Sequence, residues 1–142
     1  MKKSAIAVLM AVVIGAVVAG GCASTPKGPT DAELIQKLIG DWKAAAMSKD
    51  LDKMMASYSE GFQHPEWGDK AGLKGFLKEA LDMGYLENAQ VNTDKAQVKI
   101  EKDAATAYPI EFKAAFGSAT IELSLKKEAK GWAITGMTVE QY

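Results

Sequence analysis

Residues 42–62 read WKAAAMSKDLDKMMASYSEGF and predict the end of one helix and the whole of a second. The first helix should end near Ser48. Asp50 is placed to cap the next helix, because its side-chain oxygen can accept a hydrogen bond from an unpaired backbone amide. Gly61 should stop this short helix. Its apolar residues are Leu51, Met54, Met55 and Tyr58.

The residues before this stretch predict where the first helix begins. Thr30 and Glu33 have the spacing of a capping box, in which a hydroxyl and a carboxylate each accept from an orphan amide at the helix start. Apolar residues then recur at three- and four-residue spacing, which is typical of a helix with one face on a core. This stripe comprises Leu34, Leu38, Ile39, Trp42, Ala45 and Ala46.

The residues after the stretch predict a third helix. Asp69 should cap it, and Gly84 lies past its end. Gly72 and Gly75 each weaken this helix by about 1 kcal/mol relative to alanine. Its inward residues are Leu73, Phe76, Leu77, Ala80 and Leu81.

Beyond Tyr85 the apolar pattern changes to alternation, which is typical of half-buried strands. Short turns separate four predicted strands, as antiparallel hairpins require. Pro109 interrupts the second strand and should therefore lie at an edge, a bulge or a bend. Three N-terminal helices followed by this meander predict an α+β fold in which the helices pack on one face of an antiparallel sheet. The predicted strands cover residues 90–102, 106–116, 119–127 and 132–139.

Residues 42–62 resemble the first two helices of the nuclear transport factor 2-like superfamily, which includes SnoaL-like cyclases and ketosteroid isomerases. The resemblance rests on the three aromatic residues of the stretch and on the Asp-Leu-Asp turn at residues 50–52. Residues 131–134, Gly-Trp-Ala-Ile, resemble the last strand of the same superfamily. The resemblance covers residues 30–142. It implies a cone-shaped, cystatin-like fold whose curved sheet wraps the first helix and leaves a pocket between them.

The amino terminus has the architecture of an export signal. Lys2 and Lys3 give it a positive start, an uncharged apolar run extends from Ala5 to Val18, and small residues lead into Cys22. The apolar run is shorter than the ~20 residues that a membrane-spanning helix needs. The pattern therefore predicts a secretory signal peptide.

Cys22 is the only cysteine and therefore has no disulfide partner within the chain. Residues 19–22, Ala-Gly-Gly-Cys, resemble the lipobox of bacterial lipoproteins, although that family prefers leucine where Ala19 stands. The resemblance implies cleavage between Gly21 and Cys22 and lipidation of Cys22. Ala23 then implies the inner, periplasmic face of the outer membrane in a cell that has one. The alternatives are an uncleaved membrane anchor or an ordinary signal whose cysteine is incidental.

Cleavage there divides the chain into a signal peptide of residues 1–21, a lipidated tether of residues 22–29 and one domain of residues 30–142. The signal holds two of the 17 Lys and Arg and none of the 18 Asp and Glu, so the mature side-chain charge is −3. This acidic balance argues against a nucleic-acid partner, which needs a clustered basic surface. The partner implied by the signal is the membrane, reached through the N-terminal lipid.

His64 and Glu66 are the candidate acid–base residues, in the loop after the second helix. Ketosteroid isomerases carry a catalytic Asp-Pro pair in this region; aligning on Pro65 places His64 there, and counting from the second helix places Glu66 there. Both side chains can transfer protons near neutral pH. The resemblance fails at the donors that stabilise an enolate. Trp42 replaces a tyrosine, and strand alternation turns Glu122 outward. The sequence therefore argues against steroid-isomerase chemistry.

Aromatic residues are the candidate lining of the implied pocket. The simpler alternative for them is core packing, and for His64 a solvated place in a loop whose Trp67 covers the core. No cluster of Cys, His and carboxylates has metal-ligand spacing, and no glycine-rich phosphate loop follows a strand, so the sequence indicates neither a metal nor a cofactor. The candidate lining residues are Trp42, Tyr58, Trp67, Phe76, Tyr108, Phe112 and Phe116.

These observations favour a membrane-tethered lipoprotein whose domain binds a small apolar or amphipathic ligand, or a protein partner, without catalysis. One alternative is a lyase, isomerase or hydrolase that uses His64 or Glu66 as its base. The other is a structural module that dimerises through the open face of its sheet, which a large exposed apolar patch there would support.

Overall fold

The computed structural model describes residues 28–142, which form three α-helices and seven β-strands. In this part of the chain no helix is both long enough and apolar enough to cross a membrane. The predicted signal peptide, its cleavage site and Cys22 lie outside the described residues. The helices are α1 (Asp31–Ser48), α2 (Leu51–Ala56) and α3 (Lys70–Asp82), and the strands are β1 (Gln63–His64), β2 (Gly68–Asp69), β3 (Gln90–Asn92), β4 (Gln97–Glu101), β5 (Ala104–Ala114), β6 (Gly117–Glu128) and β7 (Gly131–Gln141).

The helices begin where the sequence predicts. The hydroxyl of Thr30 accepts a hydrogen bond from the amide of Glu33 at 3.2 Å, and the Glu33 carboxylate accepts from the amide of Thr30 at 2.7 Å, which completes the capping box. Asp50 and Asp69 cap α2 and α3, each by accepting from a backbone amide three residues later. The buried stripe of α1 also includes Ile35, which the predicted stripe omits and which is fully buried.

Five antiparallel strands form the main sheet, in the order β3-β5-β6-β7, with β4 also paired to β5. The sheet packs its inner face on the helices, so the predicted α+β arrangement is confirmed. The strand predicted for residues 90–102 is divided into β3 and β4, because Asn92 accepts from the amide of Asp94 at 2.8 Å and closes a local turn. The outer face of the sheet carries half-exposed polar residues, among them Thr106, Glu111, Thr120, Glu122 and Ser124.

Tyr108 is directed away from the core, contrary to its predicted place in the pocket lining. Its side chain is 44% exposed, whereas Ala107 and Ile110 are fully buried. In the β5–β6 ladder, Ala107 pairs with Leu123 and Ile110 with Ile121, so two residues of β5 face one residue of β6. Such a bulge changes the phase of the alternation by one residue. The prediction for Tyr108 is therefore wrong. For the following proline the sequence allowed an edge, a bulge or a bend, and the structure shows the bulge.

Tyr58 lies past the end of α2, which is shorter than predicted. The helix ends at Ala56. The next residues run beside β7, where the amide of Ser59 donates to the carbonyl of Ile134 at 2.8 Å and the amide of Ile134 donates to the carbonyl of Ser57 at 2.9 Å. These bonds to β7 replace the intrahelical hydrogen bonds that a longer α2 would have made, so the buried backbone groups remain paired. They hold Tyr58 between the helices and the sheet.

Asp31 joins the start of α1 to the β6–β7 hairpin. Its carboxylate pairs with the ammonium of Lys127 at 2.9 Å and accepts from the indole N–H of Trp132 at 3.0 Å. These contacts, with Lys127 the stronger, hold the pKa of the Asp31 carboxyl below its usual range. The chain therefore enters the domain at this end of the sheet, and α1 leads away from it for 18 residues, which is about 27 Å.

Candidate functional site

A cavity of about 340 Å³ lies between the helices and the inner face of the sheet. Its volume is at the small end of the ~300–1,000 Å³ that ligand pockets occupy. The wall is mostly apolar, and none of the described residues that line it is an Asp, Glu, His, Lys or Arg. A charged ligand group would find no countercharge there. The aliphatic and thioether parts of the wall include Met54, Leu73, Ile121, Met137 and Val139.

One buried polar pair lies in this wall, where α1 meets the segment after α2; the other polar lining residues, Tyr85 and Gln141, are exposed. The indole N–H of Trp42 donates to the hydroxyl oxygen of Tyr58, with 2.8 Å between the two atoms, and both side chains are almost completely buried. Burial raises the pKa of the Tyr58 hydroxyl well above its usual range, and the bond from Trp42 offsets this only in part. Tyr58 therefore keeps its proton. Among the described residues, this O–H has no acceptor.

Three stacked rings lie beside the cavity, and two of them form part of its wall. The ring of Trp67 lies against the ring of Phe76, with 4.5 Å between centroids and 16° between planes, and both residues line the cavity. The imidazole of His64 covers Trp67 at 3.9 Å and 12°. Because two rings this close cannot share one face of the indole, His64 lies on the face opposite Phe76. His64 is therefore separated from the cavity by the indole.

The segment that carries His64 is a hairpin of β1 and β2, which the sequence did not predict. The Nδ1 atom of His64 accepts from the backbone amides of Glu66 at 3.1 Å and Trp67 at 3.4 Å. Because Nδ1 is an acceptor in both bonds, a neutral imidazole carries its proton on Nε2. His64 thus closes the turn that presents Trp67 to Phe76.

His64 and Glu66 line a second, more polar depression of about 390 Å³, on the outer side of Trp67. The structure brings these two candidate bases close to each other, and it places neither in the wall of the apolar cavity. Glu66 is exposed. General-base chemistry on a molecule in the apolar cavity therefore has no carboxylate or imidazole among the described lining residues.

Six of the seven predicted aromatic residues line the apolar cavity, with Tyr108 the exception. Phe76 and Phe116 are about two-fifths exposed and mark its mouth, together with Tyr85, which the sequence did not single out. Gln141 was also missed, because the predicted last strand stops at residue 139 whereas β7 continues to Gln141. The alternation of the last strand was the available signal, and it fades where the strand leaves the core.

No protein-family model matches the sequence, and no curated protein matches it. Solved structures do match. An NTF2-like protein of unknown function from Pseudomonas putida KT2440 gives a TM-score of 0.66 at 15% identity, over 80% of this chain and 89% of that chain. A protein of unknown function with a cystatin-like fold from Nostoc punctiforme PCC 73102 gives 0.64 at 16% identity, over 78% and 90%. The domain has the NTF2-like fold. An NTF2-like protein with a cystatin-like fold from Novosphingobium aromaticivorans gives 0.62 at 16% identity, over 78% of this chain and 81% of that one.

The NTF2-like domain differs from the ketosteroid-isomerase pattern in a way that the sequence predicted only in part. Glu122 lies between the buried Ile121 and Leu123 and is turned to the outer face, as strand alternation predicts. A hydroxyl donor is nevertheless present in the cavity, because Tyr58 supplies it from beyond α2 and Trp42 supports it. The cavity thus combines a buried hydroxyl donor with a mostly apolar wall.

Proposed function

We propose that the NTF2-like domain binds a small, largely apolar molecule without transforming it, and that a lipid on Cys22 tethers the domain to the cell envelope. The observation that carries the binding proposal is the cavity of about 340 Å³ with its mostly apolar wall. A molecule that enters it is stabilised by ~25 cal/mol for each Å² of apolar surface removed from water. The exposed rings of Phe76, Tyr85 and Phe116 give such a molecule an apolar route inward.

The position of the candidate bases supports binding over catalysis. A lyase or isomerase needs its base within about 3 Å of the proton-bearing atom, directly or through one water. His64 contacts the outer face of Trp67, and Glu66 lines only the outer depression. A ligand that fills the apolar cavity would keep its atoms on the inner side of Trp67.

Leucine in place of Ala46 is expected to weaken the binding of 2-ethylnaphthalene by at least about tenfold, because the larger side chain fills space that a ligand ring needs. Ala46 is buried and lines the cavity. The matched control is Ala44→Leu, which adds the same side chain at an exposed position of α1. Binding is followed by tryptophan fluorescence of the full chain in lipid nanodiscs, after subtraction of empty discs. Equal affinities in the two variants, or no binding to the wild type, would contradict the proposal.

The tether proposal is supported by the lipobox-like residues 19–22 and by the point where the chain enters the domain. Asp31 lies at the start of α1, beside the β6–β7 hairpin. Ala46 lines the cavity about 22 Å further along the helix axis. An N-terminal anchor would therefore hold the domain by the end remote from the cavity and leave the cavity accessible from the aqueous side.

Serine in place of Cys22 is expected to abolish incorporation of a clickable fatty acid and to leave the signal peptide uncleaved, because the thiol is the atom that lipid attachment uses. Ser24→Ala is the control within the same segment and should be lipidated and cleaved normally. Intact mass and membrane fractionation provide the measurements. A Cys22→Ser chain that is still cleaved and still stays on the membrane after a high-salt wash would refute the lipid tether.

Dimerisation through the sheet is the weaker alternative. It calls for a large apolar patch on the outer face, and that face carries half-exposed polar residues such as Glu111, Thr120 and Glu122. Among the described residues, three of the five exposed aromatic rings, those of Phe76, Tyr85 and Phe116, lie instead at the cavity mouth, whereas Tyr108 and Tyr142 do not line the cavity. The distribution of apolar surface thus favours a ligand over a second copy of the chain.

A further inference from the structure

We propose that the ligand is a neutral molecule with flat rings and one hydrogen-bond acceptor, and that the hydroxyl of Tyr58 donates to this acceptor. The inference rests on the proposed function, because it names the class of ligand that the same cavity holds. Three observations carry it: the hydrogen bonding of Tyr58, the absence of charge in the described wall, and the arrangement of the aromatic rings.

The acceptor on the ligand follows from the Trp42–Tyr58 pair. The hydroxyl oxygen of Tyr58 accepts from the indole of Trp42 at 2.8 Å, so the O–H of Tyr58 is left to donate elsewhere. Tyr58 lines the cavity and is 4% exposed. A buried donor without an acceptor is costly. A ligand that brings a carbonyl or ether oxygen to Tyr58 is therefore favoured over a hydrocarbon of the same shape.

The neutrality of the ligand follows from the composition of the wall. No described lining residue carries a charge. A carboxylate or an ammonium group would lose its hydration on entry without gaining an ion pair, which is strongly unfavourable. This argues against fatty acids and amines, although both have apolar parts that would fit.

The flat rings of the ligand follow from the aromatic wall. Trp67 and Phe76 stack at 4.5 Å, and Phe112 and Phe116 stack at 5.7 Å with 25° between their planes. All four residues line the cavity. Because His64 and Phe76 cover the two faces of the Trp67 indole, Trp67 presents its edge to the cavity and the other rings supply the free faces. Ring faces bind other rings in offset-stacked or edge-on contacts more favourably than they bind flexible alkyl chains of similar area.

The test compares 2-acetylnaphthalene with 2-ethylnaphthalene, which has a methylene group in place of the carbonyl, on the full chain in lipid nanodiscs. The ketone preference is the ratio of the affinity for 2-acetylnaphthalene to the affinity for 2-ethylnaphthalene. This ratio is expected to be about fivefold larger in the wild type than in Tyr58→Phe, which is the typical effect of one net hydrogen bond. Taking the ratio of the two probes in each protein cancels their different partition into lipid. Tyr58→Phe should keep its affinity for 2-ethylnaphthalene, which confirms that the variant is folded. 2-Naphthoate, an anion at neutral pH, should bind more weakly than the ketone.

Trp42→Phe is the matched control, because it removes the same indole–hydroxyl bond but keeps the O–H of Tyr58. The ketone preference should persist in it. Three results would overturn this inference and leave the proposed function standing. The ketone preference could survive in Tyr58→Phe, it could be lost equally in Tyr58→Phe and Trp42→Phe, or 2-naphthoate could bind as tightly as the ketone. If neither 2-acetylnaphthalene nor 2-ethylnaphthalene binds the wild type, both this inference and the proposed ligand-binding function are overturned.

Discussion

Alanine in place of Gly72 is expected to destabilise the domain by about 1–3 kcal/mol, the usual cost of forcing volume into a packed contact. A Cβ atom at residue 72 would lie 1.8 Å from the carbonyl oxygen of Trp67, which is a backbone atom. Either the start of α3 or the β1–β2 hairpin has to move. Because Trp67 is the middle ring of the stack beside the cavity, we also expect weaker binding of 2-ethylnaphthalene. Urea unfolding measures the first effect and a fluorescence titration the second.

Gly75→Ala is the matched control, about one turn further along α3. A Cβ atom there meets no atom within 4 Å. The change should therefore stabilise the domain by about 0.5–1 kcal/mol through helix propensity alone. The same chemical change thus has opposite expected signs at two positions of one helix. Stabilisation by Gly72→Ala as well would refute the close approach of α3 to Trp67.

Alanine in place of Phe62 is expected to lower the free energy of unfolding by about 3–5 kcal/mol, as truncation of a fully buried phenylalanine does. Phe62 is 0% exposed, and its ring meets the ring of Tyr58 edge-on with 5.3 Å between centroids. Its removal leaves a void beside Tyr58, the donor of the cavity. We therefore expect the ketone preference to weaken together with stability. Urea unfolding and the two naphthalene probes provide the measurements.

Phe116→Ala is the control for Phe62, since it removes the same atoms from a half-exposed ring at the cavity mouth. Its cost in stability should be smaller, about 1–2 kcal/mol, because about two-fifths of the residue is already in water. Its cost in ligand affinity should nevertheless be measurable. A loss of stability at Phe62 no larger than that at Phe116 would contradict the place of Phe62 in the core.

The helix starts could be predicted because each depends on residues that are neighbours in sequence. The capping box of Thr30 and Glu33 closes within four residues. Asp50 and Asp69 likewise reach amides only three positions away. The aromatic lining was also largely predictable, because apolar periodicity identifies which face of an element is buried. The same reasoning failed at Tyr108, where a bulge changes the phase.

The candidate site depends on contacts that no local pattern encodes. Tyr58 meets Trp42 across 16 positions of sequence, and it does so because the residues after α2 pair with Ile134 of β7. The turn at His64 is itself closed locally, by two backbone amides that donate to one imidazole nitrogen. Its place beside the cavity depends on the stacking of Trp67 on Phe76 of α3, which is a tertiary contact. The sequence therefore indicated His64 as a candidate base and Tyr58 as lining, whereas the structure makes Tyr58 the buried hydroxyl donor of the cavity.

The amino-acid sequence by itself determined the three helices with their capped starts, the strand content of the main sheet and most of the buried faces, because hydrogen bonds within a few residues and apolar periodicity do not depend on contacts between distant segments. Only the tertiary structure decided how the lining side chains contact one another, on which side of Trp67 the histidine lies and where the O–H of Tyr58 is left free. Those outcomes depend on packing between distant segments, in which a one-residue bulge in β5 or a single glycine in α3 changes which atoms can meet.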